Sequence, residues 1–174
     1  MAQALPPFQA FLDEHLEPVR GFLRGMVGPG DAEDCLQDTF LAALRAYPRA
    51  EAGNLRAWIF TIARRKAIDH HRSSSREAKP VADPAELIDR RDAADADSRD
   101  AALGMTPRHS AIWAAVADLP AGQRAAVVLR FAVDLRYREV GEALGTSEEA
   151  ARRNVHEALK KLRASASELK EMAR

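Results

Sequence analysis

Arg152, Arg153, His156 and Lys160 fall on one side of a stretch whose other side is Ala151, Val155, Ala158 and Leu162. At helical periodicity this is a cationic exposed face backed by an apolar one. A guanidinium bonds bidentately to guanine O6 and N7 or holds a phosphate, so either Arg152 or Arg153 suits a base edge while the other takes the backbone. A second cationic set is Arg64, Arg65, Lys66 and Arg72, with Arg65, Asp69 and Arg72 on one helical face and Trp58 seven residues before Arg65. Arginines beside an aromatic ring suit unstacked bases. For Trp58 the favoured reading is a place in the core, with the charged helix end closed by an Arg65–Asp69 ion pair. No glycine-rich phosphate loop, Cys/His metal spacing or nucleophile beside a base occurs in the chain. His70 and His71 are adjacent and so point to different sides of a helix, unlike a metal-binding i, i+4 pair. The expectation is recognition without catalysis, metal or cofactor.

Bulk composition agrees with that expectation. The 174 residues carry no net charge, with 47% hydrophobic and 30% charged residues, as in a globular protein. Ala, Leu, Arg and Glu abound and aromatics are 6%, which favours helix almost throughout. No apolar run reaches the roughly 20 residues of a membrane span, and no signal-peptide pattern is present; the expected place is the cytoplasm, without membrane insertion. A lone cysteine, Cys35, suits a reducing compartment. The neutral total hides an asymmetry. Residues 1–44 hold two basic and seven acidic side chains, residues 45–72 seven basic and two acidic. The first stretch suits a basic protein surface, the second a phosphate backbone.

Elements must hold these groups in place. Phe8, Phe11, Leu12, Leu16, Val19, Phe22 and Leu23 form one helical stripe that ends at Gly28-Pro29-Gly30. Asp31 is the expected cap of a second helix, with Cys35, Leu36, Phe40, Ala43 and Leu44 inward, ending before Tyr47-Pro48. Asn54 is the expected cap of a third, with Leu55, Ile59 and Ile62 inward. Ser73-Ser74-Ser75, Pro80 and Pro84 mark a linker, with a brief helix near Leu87 and Ile88; order resumes near Ile112 and Trp113. Pro120 opens a helix whose face is Ala125, Val128, Leu129 and Ala132. Val140, Ala143 and Leu144 then line a short helix ended by Gly145, and Ser147 caps the helix carrying Arg152. A short helix, a glycine turn and a longer cationic helix make a helix-turn-helix. The predicted fold is all-α: two small helical domains, 5–72 and 109–167, joined by a flexible linker, 73–108.

Asp34-Cys35-Leu36-Gln37-Asp38-Thr39-Phe40, then Trp58-Ile59-Phe60-Thr61-Ile62-Ala63-Arg64 and Asp69-His70-His71-Arg72, resemble region two of the extracytoplasmic-function sigma factors. Leu119-Pro120, Gln123-Arg124, Tyr137-Arg138-Glu139-Val140 and Leu144-Gly145-Thr146-Ser147 resemble region four of the same family. The resemblance implies a promoter-recognition subunit of RNA polymerase. It implies that Asp34, Gln37, Asp38 and Leu41 dock on the clamp helices of the polymerase's largest subunit. Arg49, Asn54, Arg56, Arg64, Arg65, Asp69 and Arg72 would recognise and open the minus 10 element. Ser147, Glu149, Arg152, Arg153, His156 and Lys160 would read the minus 35 element as duplex. The polymerase flap would meet the C-terminal domain, and an anti-sigma factor would mask both domains. Arg65 stands where the family commonly has Asn, Arg136 where a Ser or Thr often caps, and Arg153-Asn154 where Ser-Arg is frequent. The competing expectation is a stand-alone helix-turn-helix regulator that binds duplex DNA tightly without polymerase.

Overall fold

In the computed structural model, which describes residues 5–50, 53–77 and 107–172, the regular structure of these residues is helical. Helix α1 (Phe8–Val27) buries Phe11, Val19, Phe22 and Leu23 along the expected stripe, and Met26 one turn beyond it. It stops at Gly28, whose φ of 86° suits glycine. Helix α2 (Pro29–Ala46) starts at once, so Gly28 and not Asp31 holds the cap position. Proline at the first helical position gives up no hydrogen bond, and Asp31 instead lies in the first turn, where the helix dipole favours an acid. α2 buries Ala32, Cys35, Leu36, Thr39, Phe40 and Ala43. Leu44, expected inward, is 50% exposed, because it lies three residues after Leu41 and seven after Gln37, on their face.

A 3-10 turn, Tyr47–Arg49, follows. The Tyr47 ring lies 5.0 Å from Phe8, 5.1 Å from Phe11 and 6.1 Å from Trp58, and its hydroxyl donates to the Pro6 carbonyl at 2.9 Å. This anchors the segment leading to helix α3 (Leu55–Glu77). As expected, Asn54 caps that helix: its side-chain oxygen accepts the Ala57 N–H at 3.1 Å. Ile59, Phe60, Ala63 and Ala67 face inward. α3 continues to Glu77, past the residues 73–75 expected to open the linker. Serine is a weak helix former but no breaker, and the first proline is Pro80. The helix expected near Leu87 and Ile88 lies outside the described residues.

The second half begins with α4 (Pro107–Ala117) and α5 (Ala121–Val127). α5 widens into a π turn, Val128–Ala132, closed by Val133 N–H on the Val128 carbonyl at 3.1 Å. The extra residue in that turn rotates the buried face onward. Ala132, expected inward, is therefore exposed, and Val133 and Leu135 are buried instead. Helix α6 (Tyr137–Leu144) ends at Gly145 with a left-handed φ of 65°, and α7 (Glu148–Met172) follows.

The two halves pack on each other. A Cβ on Gly25 of α1 would meet the Trp113 ring at 3.0 Å and the Val128 methyls at 3.2 and 3.3 Å. The buried Arg124 of α5 donates to the Ala117 and Leu119 carbonyls beside it and, at 3.4 Å, to the Met26 carbonyl at the end of α1.

Candidate polymerase and nucleic-acid interfaces

Periodicity leaves Asp34, Gln37, Asp38 and Leu41 together on the outer face of α2, all exposed, because the alternating positions are anchored in the core. Leu41 is 51% exposed and Leu44 continues the strip. Asp38 lies 3.8 Å from Lys66 of α3. Acids bordering exposed leucines are complementary in kind to a surface with basic and apolar groups. Cys35 lies beneath this face. Burial, reinforced by Asp31, Asp38 and Asp34, pushes its thiol up to about 11, so it is protonated and poorly nucleophilic at neutral pH.

The minus 10 candidates separate into two groups, with Arg56 apart from both. Arg49 and Asn54 line a cleft of about 380 Å³ with Ala50, Gly53, Ala57, Trp58 and Thr61. Trp58 and Thr61 come to it from α3, each four residues after another lining residue, Asn54 and Ala57 respectively. Trp58 is half-buried, 5.9 Å from the Phe11 ring, so it both packs on the core and lines the cleft. An aromatic surface, an amide and a guanidinium around one recess can receive an unstacked base. Gly53, Ala57 and Thr61 escaped the sequence reading, although the Asn54–Ala57 and Ala57–Thr61 spacings pointed to this face. Arg64, half-buried, and the exposed Arg65, Asp69 and Arg72 lie further along α3, Asp69 about 18 Å beyond Ala57 at 1.5 Å per residue. The expected Arg65–Asp69 pair gives way to Arg72 at 3.9 Å from Asp69. Arg56 points elsewhere, donating to the Val133 carbonyl at 2.5 Å.

The helix-turn-helix is α6 and α7. Its tight turn depends on Gly141, a residue that the sequence reading passed over: a Cβ there would meet the Thr146 carbonyl oxygen at 2.9 Å and the Ser147 carbonyl carbon at 3.1 Å. Ser147 caps α7, accepting the Ala150 N–H at 3.2 Å. Backbone and Ser147 hydrogen bonds, with Arg152 and Arg153 nearby, hold the Glu149 carboxyl below its ordinary range. Arg153, His156 and Lys160 are exposed along one side. Arg152, also exposed, is held: it bonds Glu148 at 2.6 Å and lies 4.7 Å over the Tyr137 ring. Arg130, Arg136, Tyr137, Arg138, Glu148 and Arg152 surround a shallow recess of about 330 Å³. Arg136 takes the cap position of α6 through its backbone, its N–H donating to the Glu139 carboxylate at 2.8 Å. Among the described residues no cluster fit to hold a metal occurs, and no helix is long and apolar enough to cross a membrane.

A helical bundle with an acidic strip on α2, a cleft beside α3 and a helix-turn-helix on one chain has the parts a promoter-recognition subunit needs, and the comparisons with known proteins show that class. Residues 11–77 match the family model of Sigma-70 region 2, and residues 109–162 that of Sigma-70 region 4. The chain is 37% identical over 152 residues to the ECF RNA polymerase sigma factor ShbA of Streptomyces griseus, covering 80% of this chain and 76% of that one. It is 36% identical over 177 residues to the RNA polymerase sigma factor CarQ of Myxococcus xanthus, covering 96% and 94%. Its fold superposes on the sigma factor RpoE of Bartonella quintana, solved with the anti-sigma factor NepR, with a TM-score of 0.72 at 23% identity over 92% of this chain and 96% of that one. The chain belongs to the extracytoplasmic-function sigma factors of the sigma-70 family: it directs core RNA polymerase to promoter DNA and initiates transcription there.

Proposed function

We propose the following division of labour within this sigma factor. The strip Asp34, Gln37, Asp38 and Leu41, extended by Leu44, docks on the clamp helices of the polymerase's largest subunit. The cleft of Arg49 and Asn54 takes an unstacked base of the minus 10 element, Arg56 contacts the same element only once released from the Val133 carbonyl, and Arg64, Arg65, Asp69 and Arg72 track the strand along α3. Ser147, Glu149, Arg152, Arg153, His156 and Lys160 face the minus 35 duplex. Arg153 is the better base reader, since Arg152 is engaged by Glu148 and Tyr137. Residues 5–72, carried on to Glu77, act as the region-two domain and 109–167 as the region-four domain, which also meets the flap. The protein works in the cytoplasm without catalysing a reaction, and an anti-sigma factor restrains it until a signal arrives. The observation that carries this reading is the distribution of charge: acids with exposed leucines on α2, a base-sized cleft beside α3, and cations on α7.

Transcription reconstituted with core polymerase tests the assignment. Reversing both acids, Asp34→Lys with Asp38→Lys, should lower affinity for core polymerase at least about tenfold, the loss of roughly 1.4 kcal/mol. Duplex binding by the region-four surface should be unchanged. Equal loss of both activities would show misfolding; loss of neither would sink the docking face.

A further inference from the structure

Two acids open α7, Glu148 and Glu149, and either would serve the positive end of the helix dipole. Their surroundings separate them. Glu148 lines the recess beside α6, where Arg152, lying over the Tyr137 ring, bonds its carboxylate at 2.6 Å. That charge is cancelled locally. Glu149 is exposed, and i, i+4, i+7 and i+11 spacing puts Arg153, His156 and Lys160 on its face of the helix, all exposed as well. The Glu149 carboxylate accepts hydrogen bonds from its own backbone N–H and from the Ser147 hydroxyl, whose oxygen in turn accepts the Ala150 N–H at 3.2 Å. It is thereby oriented and kept ionised. A carboxylate has about four acceptor sites, so roughly two stay open toward whatever α7 meets.

An ionised carboxylate is the wrong group for a phosphate and for most base edges. In the major groove guanine offers O6 and N7 and thymine O4, all acceptors that repel it; adenine sets its N6 donor beside the N7 acceptor, and cytosine offers the N4 amino donor. Cytosine suits it best. Arg153, four residues on, suits guanine O6 and N7. Side chains three or four apart on a recognition helix reach successive base pairs, principally on one strand. We propose that Glu149 and Arg153 read neighbouring bases, so that the minus 35 element of this sigma factor carries a cytosine next to a guanine on one strand. Glu149 acts there by rejection. Facing guanine or thymine, its charge stays unpaired beside the phosphates, and the repulsion lowers affinity for the wrong sequence more than the right contact raises it for cytosine.

The inference rests on the placement of α7 in the minus 35 duplex, and its test separates the two. Holoenzyme assembled from core polymerase and the full-length chain selects from a randomised duplex library long enough for both promoter elements, and the bound sequences are read. The wild type should enrich an upstream motif with adjacent cytosine and guanine on one strand, each preferred about tenfold. Glu149→Gln presents an amide that bonds adenine N6 and N7, so the cytosine should become adenine on the same strand while the guanine stays. Glu149→Ala should relax that position to any base and, at low salt, tighten binding of unselected duplex severalfold. Arg153→Ala should relax the guanine alone. If Glu149→Ala fails to fold, the isosteric Glu149→Gln carries the comparison. A Glu149 that only stabilises the helix start would lower the thermal midpoint of its variants and leave the motif intact, which overturns the inference; so does a position that the Glu149 variants relax but that is not cytosine in the wild type. In both cases the placement of α7 stands if Arg153→Ala still alters the motif. An upstream motif left unchanged by Glu149→Ala, Arg153→Ala and Lys160→Ala alike, or no upstream motif at all, overturns that placement and the inference with it.

Discussion

Two buried groups of α1 and α2 illustrate how position sets chemistry at the scale of single residues. Cys35 is a cysteine whose neighbours are acids and whose environment is the core, and both effects favour the neutral thiol. It should resist a thiol-specific aromatic disulfide at pH 7.5 in the native protein and react at once in denaturant; rapid native reaction would contradict its burial. His15 is buried, edge-on to Phe11 with centroids 4.6 Å apart. Burial holds its pKa below the ordinary 6.5, with Arg56 acting in the same direction and Glu14 against it. The unfolded chain therefore binds this proton more readily than the folded one. Stability should be highest above pH 6.5 and should fall as pH drops through 6.5 toward the lowered native value. His15→Phe should flatten that fall, read from urea midpoints between pH 7.5 and 5; an unaltered slope would assign it to other groups.

Among the elements, the parts that local chemistry specifies were legible. The α1 stripe, the Asn54 and Ser147 caps, the Gly145 terminus and the exposed face of α2 each follow from spacing within a few residues. What escaped depended on geometry the pattern does not carry. A π turn shifted the face that brought Ala132 outward, a proline start displaced the Asp31 cap, and Gly141 looked like an ordinary helix residue. Glycine inside a helix costs about 1 kcal/mol relative to alanine, so its presence there signalled a close approach. Gly141→Ala should force the turn apart at a cost of about 1–3 kcal/mol, with loss of minus 35 duplex binding and retained affinity for core polymerase. A variant as stable and as tightly bound to duplex as the wild type would show that the turn relaxes freely.

For the whole molecule, sequence patterning supplied both halves but not their contact, since Gly25, Trp113 and Val128 are brought together by tertiary packing across a long span of chain. Their shared core predicts one cooperative thermal transition for the chain, whereas Trp113→Ala should resolve two, seen by calorimetry. Apart from the Arg56–Val133 carbonyl bond, four residues with polar groups at the junction keep a contact within their own half. Asn54 keeps the Ala57 N–H, Glu142 lies 3.6 Å from Arg138, Arg124 keeps the Ala117 and Leu119 carbonyls, and the Met26 carbonyl keeps the His71 ring nitrogen at 3.0 Å. Parting the halves therefore strands none of these four groups, and the resistance to separation comes chiefly from apolar contact around Gly25. Such a junction lacks the heavy penalty of an orphaned buried charge, so the polar cost of separating it is no more than exchanging protein partners for water.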